Sequence, residues 1–572
     1  MRNGSVLGRF SSGELNRRRL LGAAAAMAGT TLAACGRSGP GPQGGASPAA
    51  GGAQASKPRS GGIYNSYSQY NAPLDAHHVS AATTQTLASG TMSRLFRFKT
   101  SADPNLIADH TVESDLAISA ESPDAVSWTV KLGPNARFQN VPPLNGRPVD
   151  PGDVKATLNR FLTDPQNPNR SALSMIDPAQ IESPSTDTLV FKLKYPYAPF
   201  QRLLASGAYG WIFPREATNG GYDPAKQMLG SGPFMLDSYA PDVAYVFKKN
   251  PDWFESGRPY LDGIRYAIIP DDAQRLAQFA AGNLADLDFE IPDLDAIKRD
   301  NPRASIIKKP PSNSNSIYLQ LGDQSSPFVD IRIRRAFSMA LDRDAIGKVT
   351  FSGQSRVMVF VPLTLGKWSV AVEELDPSTA QYFKYNLPEA KKLLDAAGAT
   401  NLSIKFAYIA NGPFSSPAYR GLFETVGHML SDLGVKITLI DHDYNKDFVG
   451  GGHGSRQGYF DKDVIVFGGI AQYTEADEYL YSYFHSKSAS NSEHLNDPAL
   501  DGMIDKGRGI VNEDERLKAY RDAQKYIADK MYVIPTCGGV SYAAAQAWVS
   551  NYNFGSMSGR FAETYSKLWL DK

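Results

Sequence analysis

The sequence predicts a large protein of mixed α and β structure that folds into two or more lobes. About 510 of the 572 residues follow a low-complexity N-terminal region, which is enough chain for a large core. Apolar and polar residues alternate over 126–132 and 189–195, as in half-buried strands. Apolar residues recur with helical spacing after Asp330, as in an amphipathic helix.

Residues 1–35 have the layout of an export signal. Three arginines precede an apolar run that is too short to span a bilayer, which needs about 20 apolar residues. Arg17-Arg18 resembles the twin-arginine motif, and the LAAC box that ends at Cys35 resembles a bacterial lipoprotein cleavage site. The alternative is a buried helix, but a helix that is apolar all round and headed by arginines has no globular surface to explain it. We therefore expect Cys35 to be lipidated.

Residues 36–60 are predicted to form a flexible tether. Gly, Pro, Ala and Ser dominate this stretch, which contains no residue more apolar than alanine. Such a segment cannot bury enough apolar surface to offset its ordering entropy. A chain of this length and composition spans roughly 30 Å. A lipid anchor and a tether predict a protein that works on the extracytoplasmic face of a bacterial membrane, or in the periplasm.

Charge and cysteine content exclude some classes of protein. The formal charge of the full chain is zero, but the region before Cys35 holds five arginines and one glutamate. The remaining chain therefore has 54 basic and 58 acidic residues, which argues against nucleic acid as a partner. Cys537 is the only cysteine besides Cys35, so no internal disulfide framework is expected.

The periodicity continues beyond these segments. Two further strands are predicted at 243–247 and 264–268. Further helices are predicted from Pro388 to Gly398, over 422–433 and from about 514 to 531. Because no fixed repeat period is present, solenoids and propellers are not expected.

The sequence contains no recognisable catalytic motif. A G-x-S-x-G elbow, a P-loop and an H-E-x-x-H helix are all absent from it. The glycine-rich stretch 450–458 lacks the spacing of a phosphate loop and is predicted to be a surface loop. His77 and His78 are adjacent on an extended segment, so they point to opposite faces and do not form a metal pair. We therefore expect a protein that is not an enzyme and that holds no cofactor or metal.

Several motifs together resemble those of a known family. The segment 230–287 carries GPF at 232–234, NPDWF at 250–254, PYLD at 259–262 and IIPD at 268–271. The stretches 145–161, 188–200, 328–346 and 387–398 continue the pattern in order. The chain thus resembles the extracellular solute-binding proteins of family 5, which are the dipeptide, oligopeptide and nickel receptors of ABC importers. The resemblance extends from about Gly61 to the C-terminus.

The resemblance implies a two-lobed α/β fold of the periplasmic-binding-protein type, class II or cluster C. Such a fold has mixed sheets, two hinge crossings and an extra subdomain in the first lobe. The first lobe would comprise residues 61–270 and 535–572, and the second lobe 271–534. The crossings would lie at Pro270 and Pro535, where proline limits φ and defines a pivot.

The resemblance also bears on the choice of ligand. Relatives that bind peptides read GWGADY where this chain reads GGIAQY at 468–473, so Gly469 stands at the Trp position and Gln472 at the Asp position. The Asp of those relatives takes the ammonium of the peptide, whereas Gln can hydrogen-bond a hydroxyl or an amide. Glu475 or Asp477 could replace the missing carboxylate. A neutral ligand, such as an oligosaccharide or a capped peptide, therefore remains an alternative to a peptide.

We predict a cleft floored by residues 467–473, with the first lobe opposite. Tyr318 and Trp368 are expected to add apolar or stacking surface, although Tyr318 and Phe467 fit buried strands equally well. Tyr473 and Trp368 lie in segments rich in Gly, Thr and polar residues, which favours a place outside the core. The predicted substrate-binding residues are Tyr70, Thr84, Tyr318, Trp368, Phe467, Gly469, Gln472, Tyr473 and Asp477.

These observations predict a lipid-anchored extracytoplasmic receptor. A monomer is expected to capture a peptide or another small solute between its lobes and to deliver it to an ABC permease complex in the membrane. A lipid-anchored extracellular hydrolase on a similar frame is the alternative from a different class. The absence of a catalytic constellation from the sequence favours the receptor.

Overall fold

The structure, a computed structural model, describes most of the chain beyond the predicted tether. The described residues are 57–79, 82–100, 111–167, 169–311, 315–409, 417–443, 461–468, 473–488, 490–552 and 564–572. Every helix within them is either too short or too polar to cross a bilayer. Cys35, Gly469 and Gln472 lie outside these ranges, so the predictions about them stay predictions.

The chain up to residue 270 alternates strands with a few helices. In chain order the elements are β1 (Ile63–Ser68), α1 (Ala82–Thr91), β2 (Phe96–Phe98), β3 (Val112–Ser114), β4 (Ala117–Glu121), β5 (Ser127–Leu132), α2 (Pro151–Thr163), β6 (Ile181–Ser185), β7 (Thr188–Lys192), α3 (Phe200–Leu204), β8 (Phe234–Ala240), β9 (Ala244–Lys249) and β10 (Gly263–Ile268). The predicted strands at 126–132 and 189–195 are confirmed as β5 and β7.

Helices dominate the chain from residue 271 to residue 351. The elements there are α4 (Asp272–Ala280), β11 (Asp286–Phe289), α5 (Leu294–Asp300), β12 (Ser305–Lys309), β13 (Ser316–Leu319), α6 (Ile331–Met339) and α7 (Arg343–Phe351). Asp330 caps α6 as predicted, because its carboxylate accepts a hydrogen bond from the backbone N–H of Arg332.

The remaining chain contains the long helices and returns through short strands. Its elements are β14 (Ser355–Arg356), α8 (Pro377–Ala380), α9 (Leu387–Ala396), β15 (Ser403–Ile409), α10 (Pro417–Asp432), β16 (Lys436–His442), β17 (Val464–Gly468), α11 (Ala476–Phe484), α12 (Pro498–Gly509), α13 (Glu513–Lys530), β18 (Ile534–Pro535), β19 (Gly538–Gly539), β20 (Ser541–Ala545), β21 (Val549–Ser550) and β22 (Trp569–Leu570). The helix predicted from about 514 to 531 is confirmed as α13.

Two four-stranded sheets organise the first part of the chain. One has the order β1-β10-β9-β8, with β1 parallel to β10 and the other pairs antiparallel. The other has the order β4-β5-β7-β6 and packs, with α2 and α3, around a separate core that includes Val130, Phe161, Phe191 and Phe200. We call the part around this second core the subdomain.

A five-stranded sheet organises the second part. Its order is β16-β15-β17-β13-β18; β16, β15 and β17 are parallel, and β13 is antiparallel to both of its neighbours. Every residue of β17 is buried, which explains its unbroken apolar sequence because parallel strands are covered on both faces. Phe406, Ile465 and Phe467 of this sheet share a core with Val426 and Leu430 of α10.

A third sheet joins segments that are far apart in the chain and packs against the first part. The returning strand β20 pairs with both β11 and β12, and Ala285 donates its backbone N–H to the carbonyl of Asn65 at 2.7 Å. Leu287 and Phe289 therefore share a core with Tyr67. The lobe boundary predicted at residue 270 stays a prediction, although β11 and β12, which follow it, pair with β20 beside the first part.

The two segments that lead to and from the five-stranded sheet run side by side. β13 pairs with β18, so that Ser316 lies opposite Pro535. Thr536 donates both its backbone N–H, at 2.9 Å, and its hydroxyl, at 2.6 Å, to the carbonyl of Asn315. The chain thus enters and leaves the second part at one place, as a paired hinge requires.

A buried carboxylate fixes the start of α2 in the subdomain. Asp150 caps the helix by accepting the N–H of Gly152 at 2.7 Å, and Asp153 follows in its first turn. Asp153 accepts two hydrogen bonds from Arg147, at 2.7 and 2.8 Å, and others from Arg215. Burial raises the pKa of Asp153, but the arginine hydrogen bonds outweigh it and hold the pKa below its usual value.

We predict that Asp153→Asn destabilises the protein at neutral pH. The variant leaves Arg147 and Arg215 without their shared carboxylate, which should lower the free energy of unfolding by about 2–3 kcal/mol, since both arginines are partly exposed. Because the folded-state pKa is depressed, the contribution is present above the unfolded pKa and is lost as the pH falls through the folded one. Urea unfolding at neutral and at acidic pH should show a smaller difference in acid. Asp150→Asn keeps a good cap and removes only the more exposed carboxylate on Arg215, so it is the control and should cost less. An equal loss in both variants would contradict the role of Asp153.

Candidate functional site

The carboxyl ends of the three parallel strands meet at one edge of the five-stranded sheet. β15 ends at Ile409 and β16 at His442, which are register partners, and β17 ends beside them at Gly468. β13 runs in the opposite direction and begins at this edge, where Ser316 pairs with Gly468. In open α/β sheets ligands bind outside the carboxyl ends of the strands. We call this edge, with the described residues from Tyr473 to Glu478, the strand-end edge and take it as the candidate site.

Tyr473 is the first described residue after β17, and it lies where two cores meet. Its partly buried ring packs against the core of the five-stranded sheet and also against the core of the subdomain. Its backbone N–H donates to the hydroxyl of Tyr479 at 2.8 Å, and the two rings contact edge to face at 5.0 Å. Tyr473 is therefore held at the border of the two parts, and its role as a ligand contact stays a prediction.

One strip of the subdomain faces the strand-end edge. Its residues, 195–209, contact residues 473–516 of the second part, and we call this contact the inter-half strip. Ala198 donates its backbone N–H to the carbonyl of Arg508 at 2.7 Å, and the hydroxyl of Tyr209 donates to the carboxylate of Glu478.

Asp477, in the first turn of α11, is buried against an arginine. Its carboxylate accepts hydrogen bonds from Arg508 at 3.0–3.3 Å and from the hydroxyl of Tyr520 at 3.1 Å. The guanidinium of Arg508 also stacks on the ring of Tyr481 at 3.6 Å. Asp477 is 1% exposed. Its charge is thus already balanced by a protein cation.

The two glutamates beside Asp477 are buried as well. Burial raises the pKa of Glu478 to about 7, although hydrogen bonds from Tyr209 and from the backbone N–H of Thr474 act in the opposite direction. Burial also raises the pKa of Glu475, and the nearby Arg202 opposes that rise. Each carboxylate of this turn therefore has a partner inside the protein.

Three of the predicted residues of the second part, Phe467, Tyr318 and Trp368, are buried in its core. Phe467 is fully buried and its ring contacts Phe406 at 5.7 Å, which matches the alternative of a core strand residue. Tyr318 is buried too, and its ring stacks on Tyr483 at 6.1 Å. Trp368 is only 1% exposed, in contrast to the expectation that it lies outside the core.

Cations explain why Trp368 is buried in a polar segment. The guanidinium groups of Arg202 and Arg516 lie 5.2 and 5.5 Å from the centre of its ring. An indole face attracts such cations, so charged side chains can cover the ring as effectively as apolar ones. Sequence composition around Trp368 does not reveal this, because both arginines come from distant segments.

The predicted residues of the first part also differ in exposure. Tyr70 follows the end of β1 and is 45% exposed. Thr84 is fully buried, and its hydroxyl donates to the carbonyl of Pro73 at 2.8 Å. Tyr70 is therefore available to a ligand, whereas the hydroxyl of Thr84 is already engaged within its own part.

His77 and His78 separate as their adjacent positions predict. The ring of His77 is buried against Phe161 and Phe213, and burial lowers its pKa to about 3. The ring of His78 instead contacts Asp164 at 2.7 Å. In the part of the chain that the structure describes, no group of three or more His, Cys, Asp or Glu side chains is placed to hold a metal ion.

Sequence reasoning missed Arg202, Tyr209 and Glu478. Arg202 and Glu475 are 273 residues apart, and Tyr209 and Glu478 are 269 apart. No local spacing links partners at such distances. The available signal is the acidic run at 475–478 between apolar residues, because carboxylates in a buried setting require partners.

Comparison with known proteins places the chain in a family. The model of the bacterial extracellular solute-binding proteins, family 5 Middle, matches residues 111–491. The probable D,D-dipeptide-binding periplasmic protein DdpA of Escherichia coli K12 is 26% identical over 448 residues, covering 76% of this chain and 80% of the relative.

Solved structures share the fold. The oligopeptide-binding protein AppA of Bacillus subtilis, in complex with a nonapeptide, matches with a TM-score of 0.72 at 20% identity, over 90% of this chain and 100% of that chain. The protein AgaA of A. tumefaciens R10, in complex with agropinic acid, matches with a TM-score of 0.72 at 22% identity, over 89% and 99%. The predicted two-lobed fold is therefore confirmed. Since the family model matches well over half of its length, the chain belongs to the bacterial extracellular solute-binding proteins of family 5.

Proposed function

We propose that the protein is the lipid-anchored solute receptor of an ABC importer and captures a peptide-like solute between its two lobes. The observation that carries the proposal is the strand-end edge. The carboxyl ends of β15, β16 and β17 meet there, and Tyr473 and Glu478, which come after β17 in the chain, contact the subdomain. Ligands of open α/β sheets bind at such an edge. The name of DdpA and the nonapeptide bound to AppA support a peptide-like solute.

The paired segments around Asn315 and Thr536 are the proposed hinge. They join the two parts at one place, while the inter-half strip lies at another. Rotation about the hinge would separate the strip and open the strand-end edge, and a solute bound there would favour the closed state. Tyr473 would then contribute an aromatic wall, with Tyr70 available from the first part.

We further propose that the end of the solute that meets residues 469–478 carries no net charge. Arg508 balances the charge of Asp477, and Arg202 balances the charge of Glu475. Glu478 accepts hydrogen bonds from the hydroxyl of Tyr209 and the backbone N–H of Thr474. The segment 469–472 contains no charged residue. A free ammonium would find no uncommitted carboxylate among these residues, whereas a hydroxyl or amide could bond to Gln472.

A neutral or unusual solute is compatible with the frame. AgaA holds agropinic acid on a similar fold, so this architecture is not restricted to peptides. No observation in the described ranges favours the alternative of an extracellular hydrolase. The proposed role is therefore binding and delivery, with recognition set by hydrogen bonding and aromatic surface.

The sharpest test begins with mass spectrometry of the solute that co-purifies with the protein. Calorimetry with that solute should then compare wild type with Gln472→Asp. If the bound end is neutral, the added carboxylate has no partner and binding should weaken by roughly 1–3 kcal/mol. Gln324→Asp adds the same charge beyond the other end of β13 and is the control. Tighter binding by Gln472→Asp would show that the solute carries an ammonium, and the absence of any bound solute would contradict a receptor.

The proposed lipid anchor makes a separate prediction. Replacing Cys35 by Ala removes the thiol that receives the lipid, so the variant should appear in the soluble fraction or keep its signal peptide. Cell fractionation and intact-mass measurement check both outcomes. Cys537→Ala, at a buried position, should leave membrane attachment unchanged. Equal membrane attachment of the Cys35→Ala variant would exclude an anchor at this residue.

The raised pKa of Glu478 predicts a dependence of stability on pH. Between the unfolded pKa of about 4.3 and the folded pKa of about 7, the folded protein holds a proton that the unfolded chain releases. The free energy of unfolding should therefore fall as the pH rises through this window. Glu478→Gln cannot take up or release this proton. Its free energy of unfolding relative to that of wild type should therefore rise by on the order of 1–3 kcal/mol as the pH increases from about 5 to about 8.

Scanning calorimetry at several pH values measures this gain as a rising difference in Tm. Glu515→Gln, at an exposed position of α13, is the matched control and should show no comparable trend. A Tm difference between Glu478→Gln and wild type that stays constant with pH would show that Glu478 does not titrate in this window.

A further inference from the structure

Arg202 extends from one core into another. It lies on α3, whose residues Phe200, Leu203 and Leu204 are buried in the core of the subdomain. The side chain of Arg202 is only 11% exposed, and within the described residues its charged end forms no ion pair with the subdomain. Its partners all belong to the second part of the chain.

Those partners come from three separate segments. One terminal nitrogen of Arg202, Nη1, lies 3.2 Å from Oε2 of Glu475, the residue before α11. The other, Nη2, lies 3.2 Å from a carboxylate oxygen of Glu513, the first residue of α13. The guanidinium also lies over the ring of Trp368. A planar fork can serve two carboxylates and an aromatic face at once, which a lysine cannot do.

Glu475 depends on Arg202 more than the other two partners do. It is 1% exposed, and Arg202 is its hydrogen-bonded cation. Glu513 is 45% exposed at its side chain and also has Lys367 at 2.6 Å, so its charge is balanced without Arg202. Removing Arg202 would leave the carboxylate of Glu475 buried and without a direct ion pair, which the start of α11 could relieve by moving toward water.

Glu475 is also close in sequence to the strand-end edge. It follows Tyr473 by two residues, and Tyr473 itself directly follows the segment 469–472 in the sequence. Its backbone has extended geometry at the N-terminus of α11, where no side chain caps the helix. The position of this turn is therefore set by side-chain partners such as Arg202 rather than by a local cap.

We propose that Arg202 is a positioning residue that latches the subdomain onto the second part and holds the start of α11 in place for ligand binding. The inference rests on the proposed function for its biological meaning. The latch itself is a property of the protein without a ligand. Ala198–Arg508 and Tyr209–Glu478 are further contacts of the strip, but each engages a single segment of the second part.

Hydrogen exchange of the ligand-free full chain tests the latch. In Arg202→Gln the amides of 473–484 should exchange about tenfold faster than in wild type, because local opening no longer breaks an ion pair. Amides of β5 and β15 should exchange as in wild type. Arg202→Lys keeps the charge but not the fork and should restore part of the protection.

Arg160→Gln is the matched control. Arg160 has the same side-chain exposure of 11%, but its ion pair is with Asp75, within the first part. A general loss of stability would affect both variants, whereas loss of the latch should raise exchange at 473–484 in Arg202→Gln alone. Unchanged exchange at 473–484 in Arg202→Gln, or an equal rise in Arg160→Gln, would overturn the proposal.

Small-angle scattering and an exposed variant complete the experiment. Loss of the latch should increase the radius of gyration of ligand-free Arg202→Gln, and an unchanged radius together with unchanged exchange would contradict it. If Arg202→Gln does not fold, Glu513→Gln, at an exposed site, should raise exchange at 473–484 in the same direction but less; no rise there would overturn the proposal. Because no ligand is used, the outcome does not depend on whether a solute co-purifies.

Discussion

Burial of the carboxylates at the start of α11 constrains the whole inter-half strip. Glu475, Asp477 and Glu478 lie within four residues and are all removed from water. A buried charge is costly unless a cation, a proton or hydrogen bonds compensate it. The compensating groups are Arg202 and Tyr209 from the subdomain, and Arg508 from α12. The requirement for partners thus determines which segments meet at the strand-end edge.

The parallel pairing of β15, β16 and β17 explains why the edge lies beside these carboxylates. Parallel strands bring all their carboxyl ends to one side, and α11 begins at Ala476, eight residues after β17 has ended at Gly468. The turn that starts α11 therefore lies next to any solute held at the strand ends. Partners that fix this turn also fix one wall of the site. Under the proposed function, folding and recognition would depend on the same side chains.

Sequence patterns predicted local helices and strands and the family. They did not predict features that depend on contacts between residues far apart in the chain. β5, β7 and α13 follow from periodicity because their apolar faces are set by local spacing. The burial of Trp368 does not, since it depends on Arg202 and Arg516. The pairing of β11 with β20 joins segments more than 250 residues apart and has no local signal. The predicted substrate-binding residues stay predictions, and the contacts of Arg202, Tyr209 and Glu478 across the inter-half strip were not predicted.

The ion pairs of the strip have more effect on geometry than on net stability. Taking two charges out of water offsets most of their attraction, so a buried pair adds little to the free energy of unfolding. Removing one partner is costly, however, because the other is left uncompensated. Such a cluster is therefore stable in the one arrangement in which every buried charge has its partner, and other arrangements cost free energy because they leave a charge uncompensated. A surface of that kind suits the proposed receptor, whose two halves would return to the same geometry each time they close on a solute, since an apolar contact of equal area would permit more than one register.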